Sequence, residues 1–155
     1  MSLVKNDPDA KKKLGISRIV NAPRELVWEA WTKPEHIKNW WGPEGFTNTI
    51  HKMDVVPGGE WEFIMHGPDG VDYKNKHIYR EVIKPEKLVM EHVTSPKFEM
   101  TVTFEELGDK TIVNINSLFE SAEQLEEVIK VFKADVGMTQ NADRMENYIT
   151  TLVNQ

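Results

Sequence analysis

The sequence predicts an α+β protein in which one curved antiparallel sheet packs against a long C-terminal helix. Three observations support this class. A β-prone segment at 15–21 is followed by two short helical segments, a period of two runs through 47–119, and a helical period runs through 122–153. An antiparallel sheet with one solvent-exposed face must bury its other, apolar face against another element. Only the last helix is long enough to supply that cover, at about 1.5 Å per residue.

Composition places the chain among single-domain globular proteins. Its 155 residues can bury a sizeable core, and hydrophobic and charged residues make up 39% and 28% of them. Because there is no cysteine, a disulfide framework, a thiolate metal site and a cysteine nucleophile are excluded, and this suits a cytoplasmic location. The formal net charge of −6 disfavours nucleic acid as a partner, since its phosphates would be repelled.

No segment predicts insertion into a membrane. No apolar stretch approaches the ~18–20 residues that span a bilayer, and the polar N-terminus lacks the apolar region of a signal peptide. The basic run Lys11–Lys13 is interpreted as part of a solvated tail, with a short binding patch as the alternative. We therefore expect a flexible tail over residues 1–14 and one domain over residues 15–155.

Two short helices are predicted after the first strand. Pro23 suits a first helical position. Thr32 and Glu35 have the spacing of a capping box, which would start a second helix over 34–40. Gly42-Pro43 then ends this helix and redirects the chain.

The segment WWGPEGF places two tryptophans at the end of that second helix. Trp40 follows Ile37 at helical spacing, so both should face the core. The backbone leaves the helix near Trp41, so the two rings need not share one surface. We expect Trp41 to pack at the mouth of a cavity or to be half exposed. Its role is then a structural hinge and lid, or alternatively a direct ligand contact.

Six more strands follow, and their alternation predicts which side chains face inward. Turn signals separate them at Pro57-Gly58-Gly59, Gly67–Gly70, Lys84-Pro85-Glu86, Ser95-Pro96 and Leu107-Gly108-Asp109. The inward-facing side chains of these strands and of the last helix form an apolar inner set. We expect most of this set to be hydrophobic core and part of it to line a pocket. This set comprises Trp61, Phe63, Met65, Met90, Phe98, Met100, Val102, Phe104, Phe132, Met138 and Met145.

The strand over residues 73–83 has two interpretations. If one parity faces inward, His77, Tyr79 and Glu81 form a polar row in the interior. If the other parity faces inward, Ile78 and Val82 fill the core instead. The residues leave this choice open.

The last helix begins at a capping box and has two apolar stripes. Ser121 and Gln124 have the capping-box spacing, and residues Ala122–Val153 continue as helix. Gly137 lies between the two stripes and predicts a bend or a break there. The first stripe contains Leu125, Val128, Ile129 and Phe132, and the second contains Met138, Ala142, Met145, Ile149 and Leu152.

The sequence carries no motif for catalysis or for metal binding. The five histidines show no helical i, i+4 pair, and there is no nucleophile motif or glycine-rich phosphate loop. His77 and His92 lie on neighbouring predicted strands. They could share a cavity and hold a carboxylate or a metal, or they could be two unrelated, hydrogen-bonded histidines. We predict no catalytic residue, no metal and no cofactor.

Several segments in order resemble one known family. VWEAWTKPEHIKNWWGPEGFT, PGGEWEF, MHGPDG, YREVIKPEKLV and GMTQNADRM resemble the activator-of-heat-shock-protein-90-ATPase homologue family, over roughly residues 16–152. That family belongs to the SRPBCC superfamily, also called START-like or Bet v 1-like. The resemblance implies the helix-grip fold, a curved sheet wrapped around the C-terminal helix.

The resemblance also implies a cavity between the sheet and the last helix. Where the family usually has Gly-Trp and then Leu-x-x-Leu, this chain has Gly137-Met138, then Ala142 and Met145. The smaller side chains predict a larger or more adaptable cavity. The predicted ligand-cavity residues are Trp41, Trp61, Phe63, Met65, His77, Tyr79, Met90, His92, Phe98, Met100, Val102, Phe104, Phe132, Met138, Ala142 and Met145.

Three functions are compatible with these observations. The first is a module that binds an apolar or amphipathic small molecule. The second is an enzyme of the cyclase or hydrolase kind that uses tyrosine and histidine donors in the same cavity. The third is a protein-interaction module with a chaperone partner, although the chain is too short to hold the separate N-terminal domain of the eukaryotic co-chaperone. The sequence leaves the ligand and the oligomeric state open.

Overall fold

The computed structural model describes residues 9–154 and contains one seven-stranded antiparallel sheet. A short 3-10 turn, Ala10–Lys12, precedes the first strand. The strands are β1 Lys13–Val20, β2 Thr47–Met53, β3 Glu60–His66, β4 Asp72–Ile83, β5 Lys87–His92, β6 Phe98–Leu107 and β7 Lys110–Phe119. The helices are α1 Arg24–Thr32, α2 Pro34–Ile37, α3 Ala122–Phe132 and α4 Ala134–Val153.

The sheet order is β1-β7-β6-β5-β4-β3-β2, so every strand except β1 lies beside its neighbour in sequence. Strand β1 pairs with β7 instead, so β1 and β2 lie at the two opposite edges of the sheet. Helix α4 contacts β1 and α1, and the main core lies between the helices and the inner face of the sheet. No described helix is both long and apolar enough to cross a bilayer.

The element order predicted from the sequence is confirmed, with two corrections near the N-terminus. Residues 10–14 are part of the 3-10 turn and of β1, so the expected tail does not extend to residue 14. Residues 1–8 of that expected tail lie outside the described residues. Pro23 is the N-cap of α1, in an extended conformation, and is not its first helical residue.

The predicted capping box at Thr32 is wrong. Thr32 is the last residue of α1, and its hydroxyl points back along that helix, donating to the Trp28 carbonyl oxygen at 2.8 Å. Lys33 is the N-cap of α2, with no side-chain hydrogen bond. Helix α2 ends at Ile37, three residues earlier than expected. The chain then forms a turn through Trp40.

A bulge in β4 resolves the open parity of that strand. The β4–β5 register shifts between Tyr79 and Glu81. Before the shift His77 and Tyr79 face inward and are buried, and after it Glu81 is exposed while Val82 packs against the core. Each interpretation is therefore correct on one side of the bulge only, for His77 and Tyr79 before it and for Val82 after it, whereas Glu81 and Ile78 do not face the core. An extra residue reverses the facing of all side chains beyond it.

The C-terminal helical region breaks at Lys133, and the break predicted at Gly137 is wrong. Lys133 has a φ of 53° and separates α3 from α4, whereas Gly137 is helical. The predicted cap is confirmed, since the Gln124 amide donates to the Ser121 hydroxyl at 3.0 Å. Phe132 is the last residue of α3 before the break; it is 68% exposed and does not belong to the inner set.

The left-handed backbone at Lys133 generates a stability prediction. Lys133→Gly should raise the free energy of unfolding by about 0.5–1 kcal/mol, because glycine adopts a positive φ without the steric cost of a Cβ atom. Lys130→Gly, three residues earlier inside α3, should lower it by about 1 kcal/mol. Urea unfolding of the two variants measures both values. A loss of stability in Lys133→Gly would contradict the assignment of the break.

Candidate functional site

An aromatic cluster fills the space between the inner face of the sheet and the helices. Trp31 is at its centre, with ring-centroid distances of 4.9 Å to Trp40, 5.8 Å to Trp41 and 5.9 Å to Phe104. Its indole N–H donates to the Met145 sulfur of α4 at 3.1 Å. Edge-to-face contacts of this kind add to the burial of apolar area, so the cluster joins α1, α4 and the sheet in one core.

Trp40 and Trp41 share this core, contrary to the sequence-based expectation. Their exposed fractions are 1% and 6%, and their ring centroids lie 5.7 Å apart. Trp40 points toward α1 and donates to the Ala30 carbonyl oxygen at 3.2 Å. Trp41 points toward the sheet and contacts Trp61 at 5.0 Å and His77 at 6.0 Å. The helix ends before both of them, at Ile37, and the chain turns so that both rings point inward; Trp41 is therefore not half exposed.

Most of the predicted cavity residues lie together on the inner face. Met65, Phe98 and Met138 are partly buried against the main core, and Phe132 lies apart from it on the surface. The buried members are Trp41, Trp61, Phe63, His77, Tyr79, Met90, His92, Met100, Val102, Phe104, Ala142 and Met145. Whether any of them contacts a ligand stays a prediction.

Two surface cavities reach this interior only at its margin, through Phe104 and Phe63. One of about 430 Å³ lies at the sheet end beside Arg24, Ile83, Lys87 and Phe104. The other, of about 330 Å³, lies near His51 and its neighbouring strands. Neither is lined by Met138 or Ala142, so the enlarged cavity expected from those residues is not confirmed in this closed arrangement.

Three buried polar atoms on the inner face have no hydrogen-bond partner within residues 9–154. They are Trp61 Nε1, His77 Nδ1 and the Tyr79 hydroxyl, on side chains that are at most 2% exposed. Burial without a partner costs about 1–3 kcal/mol for each such group, so their retention here calls for a reason. Burial among the aromatic rings, and then the neighbouring His92, hold the pKa of His77 well below its ordinary value. Burial likewise raises the pKa of Tyr79, so both side chains are neutral.

His92 lies beside His77 but is fully engaged in local hydrogen bonds. The two ring centroids lie 5.0 Å apart, and the residues face each other across β4 and β5. His92 Nδ1 is 2.7 Å from the Pro96 carbonyl oxygen, and Nε2 is 2.6 Å from Asn75 Oδ1. Within residues 9–154 no group of three potential ligands could hold a metal ion. Both ring nitrogens of His92 therefore have partners, whereas His77 Nδ1 has none among the described residues.

A loop holds Trp41 in place, and α4 holds that loop through Arg144. Arg144 Nη1 donates to the carbonyl oxygens of Gly42 and Pro43 at 2.9 and 2.8 Å, and Nη2 donates to that of Phe46 at 3.0 Å. Longer contacts reach the carbonyl oxygens of Trp41 and Asn39. One charged group thus satisfies up to five carbonyls of residues 39–46, which we call the Trp41 loop.

Other residues of α4 extend this attachment. The Gly42 and Glu44 amides donate to Asn141 Oδ1 and Gln140 Oε1 at 3.1 and 3.2 Å. Gly42 itself has a φ of 98°, which favours glycine at the turn. Sequence reasoning missed Arg144, Asn141 and Gln140. Their i, i+1 and i+4 spacing on α4, opposite the apolar stripe, was the available signal.

A second polar chain on the outer part of the sheet has the order hydroxyl, imidazole, carboxylate. Thr49 Oγ1 lies 2.8 Å from His66 Nε2, and His66 Nδ1 lies 2.7 Å from Asp72 Oδ1. This order is typical of nucleophile activation. However, all three belong to solvent-accessible strand ends, the Asp72 side chain is 61% exposed, and neither surface cavity includes them. The arrangement is a hydrogen-bonded surface chain that cross-links β2, β3 and β4.

The depressed pKa of His77 predicts acid sensitivity. Below a pH of about 6.5 the unfolded chain binds a proton that buried His77 does not, so the free energy of unfolding falls as pH falls, by at most about 1.4 kcal/mol per pH unit. His92, whose pKa is lowered by burial, acts in the same direction. His77→Phe should therefore lose less stability than wild type between pH 7 and pH 5. Urea unfolding at both values measures the difference.

His51→Phe is the matched control for that experiment, because His51 is exposed on β2. It should keep the wild-type dependence on pH. Equal pH dependence in wild type and His77→Phe would show that His77 is not held neutral by burial.

The Arg144 contacts predict a large loss on truncation. Arg144→Met leaves several carbonyls without their donor and should lower the free energy of unfolding by about 2–3 kcal/mol. Hydrogen exchange at the Gly42 and Glu44 amides should also become faster. Arg80→Met is the control, since Arg80 forms an exposed ion pair with Glu91 and its loss should cost at most about 1 kcal/mol. Similar losses in the two variants would rule out a special role for Arg144.

Solved structures confirm the fold. A protein from Arthrobacter aurescens superposes with a TM-score of 0.86 at 22% identity, covering 94% of this chain and 90% of that one. A protein from Nitrosomonas europaea gives 0.83 at 20% identity, with coverages of 95% and 99%. An AHSA1-like protein from Aeromonas hydrophila gives 0.73 at 20% identity, with coverages of 92% and 95%. No curated protein matches this sequence significantly.

The family comparison agrees with the resemblance found in the sequence, and the helix-grip architecture agrees with these neighbours. The family described as Activator of Hsp90 ATPase homolog 1-like protein matches residues 21–150. That range contains α1, α2, six of the seven strands, α3 and most of α4. The chain therefore belongs to the family of activator of Hsp90 ATPase homolog 1-like proteins.

Proposed function

We propose that this protein binds a small apolar or amphipathic molecule between the inner face of the sheet and α4. The observation that carries the proposal is the position of Trp41. Its ring covers Trp61 and His77 at centroid distances of 5.0 and 6.0 Å, and it belongs to a loop rather than to a helix or strand. Moving that one side chain would open the aromatic interior, and aromatic-lined interiors with a few polar groups are typical ligand sites.

The attachment of the Trp41 loop supports such a movement. Arg144, Asn141 and Gln140 hold the loop through hydrogen bonds to its backbone, and water can replace such bonds at a small net cost. Gly137 of α4 lets the loop pack closely on the helix, because a Cβ atom there would lie 3.3 Å from Pro43 Cγ. The loop can thus leave α4 without breaking a β-ladder, and the ligand enters where Trp41 lay.

A protein-interaction module is the second candidate, and a surface patch favours it. Val131, Phe132 and Val136 are 60%, 68% and 48% exposed around the α3–α4 junction. Exposed apolar side chains that lie together are typical of protein contacts. The family is named after an activator of the Hsp90 ATPase, and a chaperone partner is the corresponding proposal for this chain.

Native mass spectrometry of the protein purified from its own host tests both candidates. Binding of a small molecule predicts an additional mass that is released on denaturation. Thermal unfolding with a lipid and metabolite panel should also show stabilisation, by about 2.7 kcal/mol at a hundredfold excess over the dissociation constant. A co-purifying chaperone without an added small mass would favour the interaction module. No added mass together with no stabilising compound would count against the binding proposal.

A further inference from the structure

The inner face presents hydrogen-bond donors that the protein itself does not use. Trp61 Nε1 can only donate, and the Tyr79 hydroxyl can donate or accept. Neither finds a partner among the described residues, and their side chains are 1% and 0% exposed. His77 Nδ1 is the third such atom, on a side chain that is 2% exposed. A molecule that reached these atoms would meet at least two unsatisfied donors.

The three side chains project from one small area of the sheet. Trp61 and His77 are direct partners across β3 and β4, and Tyr79 follows His77 by two residues on the same face. Two residues along a strand span about 7 Å, so one small molecule can extend over all three. The stacked rings of Trp61 and Phe63, whose centroids lie 4.3 Å apart, supply a flat apolar wall beside the donors.

The interior offers no charge to balance an ion. Within residues 9–154 the buried polar or charged side chains are His77, His92, Thr111 and Ser117, so no buried lysine, arginine or carboxylate is present. An ionised ligand placed there would lose its hydration without gaining a counter-charge. A pure hydrocarbon would avoid that cost, but it would leave the buried donors unpaired.

We propose that the site takes an uncharged ligand with a flat apolar body and a strong hydrogen-bond acceptor, such as a ketone or ester carbonyl, which receives the Trp61 N–H and the Tyr79 O–H. This inference rests on the proposed binding function and names its ligand class. Trp61 and Tyr79 orient the carbonyl oxygen, the neutral His77 imidazole lies beside it, and the aromatic wall holds the ligand body.

Three probes of nearly equal size separate the alternatives. Acetophenone has a carbonyl acceptor, ethylbenzene has none, and benzoate carries a negative charge. Titration followed by tryptophan fluorescence and by calorimetry gives the three dissociation constants at pH 7.5. We expect acetophenone to bind at least about tenfold more tightly than ethylbenzene, the ratio that one or two net hydrogen bonds produce, and benzoate to bind most weakly.

Matched variants on β3 and β4 locate the acceptor. Tyr79→Phe removes one of the two donors. The ratio of the affinity for acetophenone to that for ethylbenzene should therefore decrease by about three- to tenfold, to the value expected for the one remaining donor. Trp61→Phe should decrease the same ratio by removal of the indole N–H. Tyr73→Phe is the control, since Tyr73 is also on β4 but is 41% exposed, and it should keep the wild-type ratio.

The results separate the ligand class from the binding function. Equal binding of acetophenone and ethylbenzene, tightest binding of benzoate, or an unchanged ratio in Tyr79→Phe would overturn the ligand class while the binding function stands. Failure of all three probes, when the host preparation or the compound panel yields a ligand, would also overturn the class. Failure of the probes and of the panel together would overturn the binding function itself.

Discussion

The guanidinium of Arg144 joins helix α4 to the Trp41 loop, and the packing of the interior depends on this attachment. It lies on α4 and donates to carbonyl oxygens of the Trp41 loop, three of them at 2.8–3.0 Å. Without that charge the loop would have to satisfy its carbonyls with water, and Trp41 would lose the support that keeps its ring against the sheet. The contact of Trp41 with β3 and β4 thus depends on a polar interaction at the edge of the aromatic cluster, between Arg144 and the loop backbone.

The interior combines tight aromatic packing with unsatisfied polar atoms, two features that oppose each other in stability. Edge-to-face contacts around Trp31 stabilise the fold, whereas the partnerless groups of Trp61, His77 and Tyr79 each reduce that gain. A core selected for stability alone would replace the tyrosine with phenylalanine. Residues that break a local rule without compensation are expected at functional sites, which is why the inner face of β3 and β4 is the candidate site.

The capping-box spacing of Ser121 and Gln124 was sufficient to predict the start of that helix, and periodicity was sufficient to predict the strands, because their side-chain pattern repeats along the chain. It was insufficient where one residue changes the backbone locally. Lysine carries no signal for a positive φ, so the break at Lys133 could not be read from the sequence, and Gly137 was the natural but wrong choice. The bulge after Tyr79 likewise has no sequence signal, since each half of β4 shows a regular alternation of its own.

Part of the candidate site was predictable and part was not. The inward position of Trp61 follows from alternation, and so does that of Phe63. The burial of Trp41 does not, because it depends on a loop folding back onto a helix about a hundred residues later. Backbone carbonyls have no side-chain signature, so the partners of Arg144 are invisible in the sequence even when the arginine itself is plain to see.

Helix α3 rests on a small core of its own. Leu125 and Val128 pack with Phe119 at the end of β7, apart from the main cluster. Because α3 has a small core of its own and is joined to α4 through a single left-handed residue, it can open as a separate cooperative unit. Phe98 is the link between the two cores, 5.0 Å from the Phe119 ring and stacked at 4.7 Å on that of His92. An opening of α3 would therefore reach the histidine pair through the contact of one phenylalanine, which couples the stability of this helix to the site.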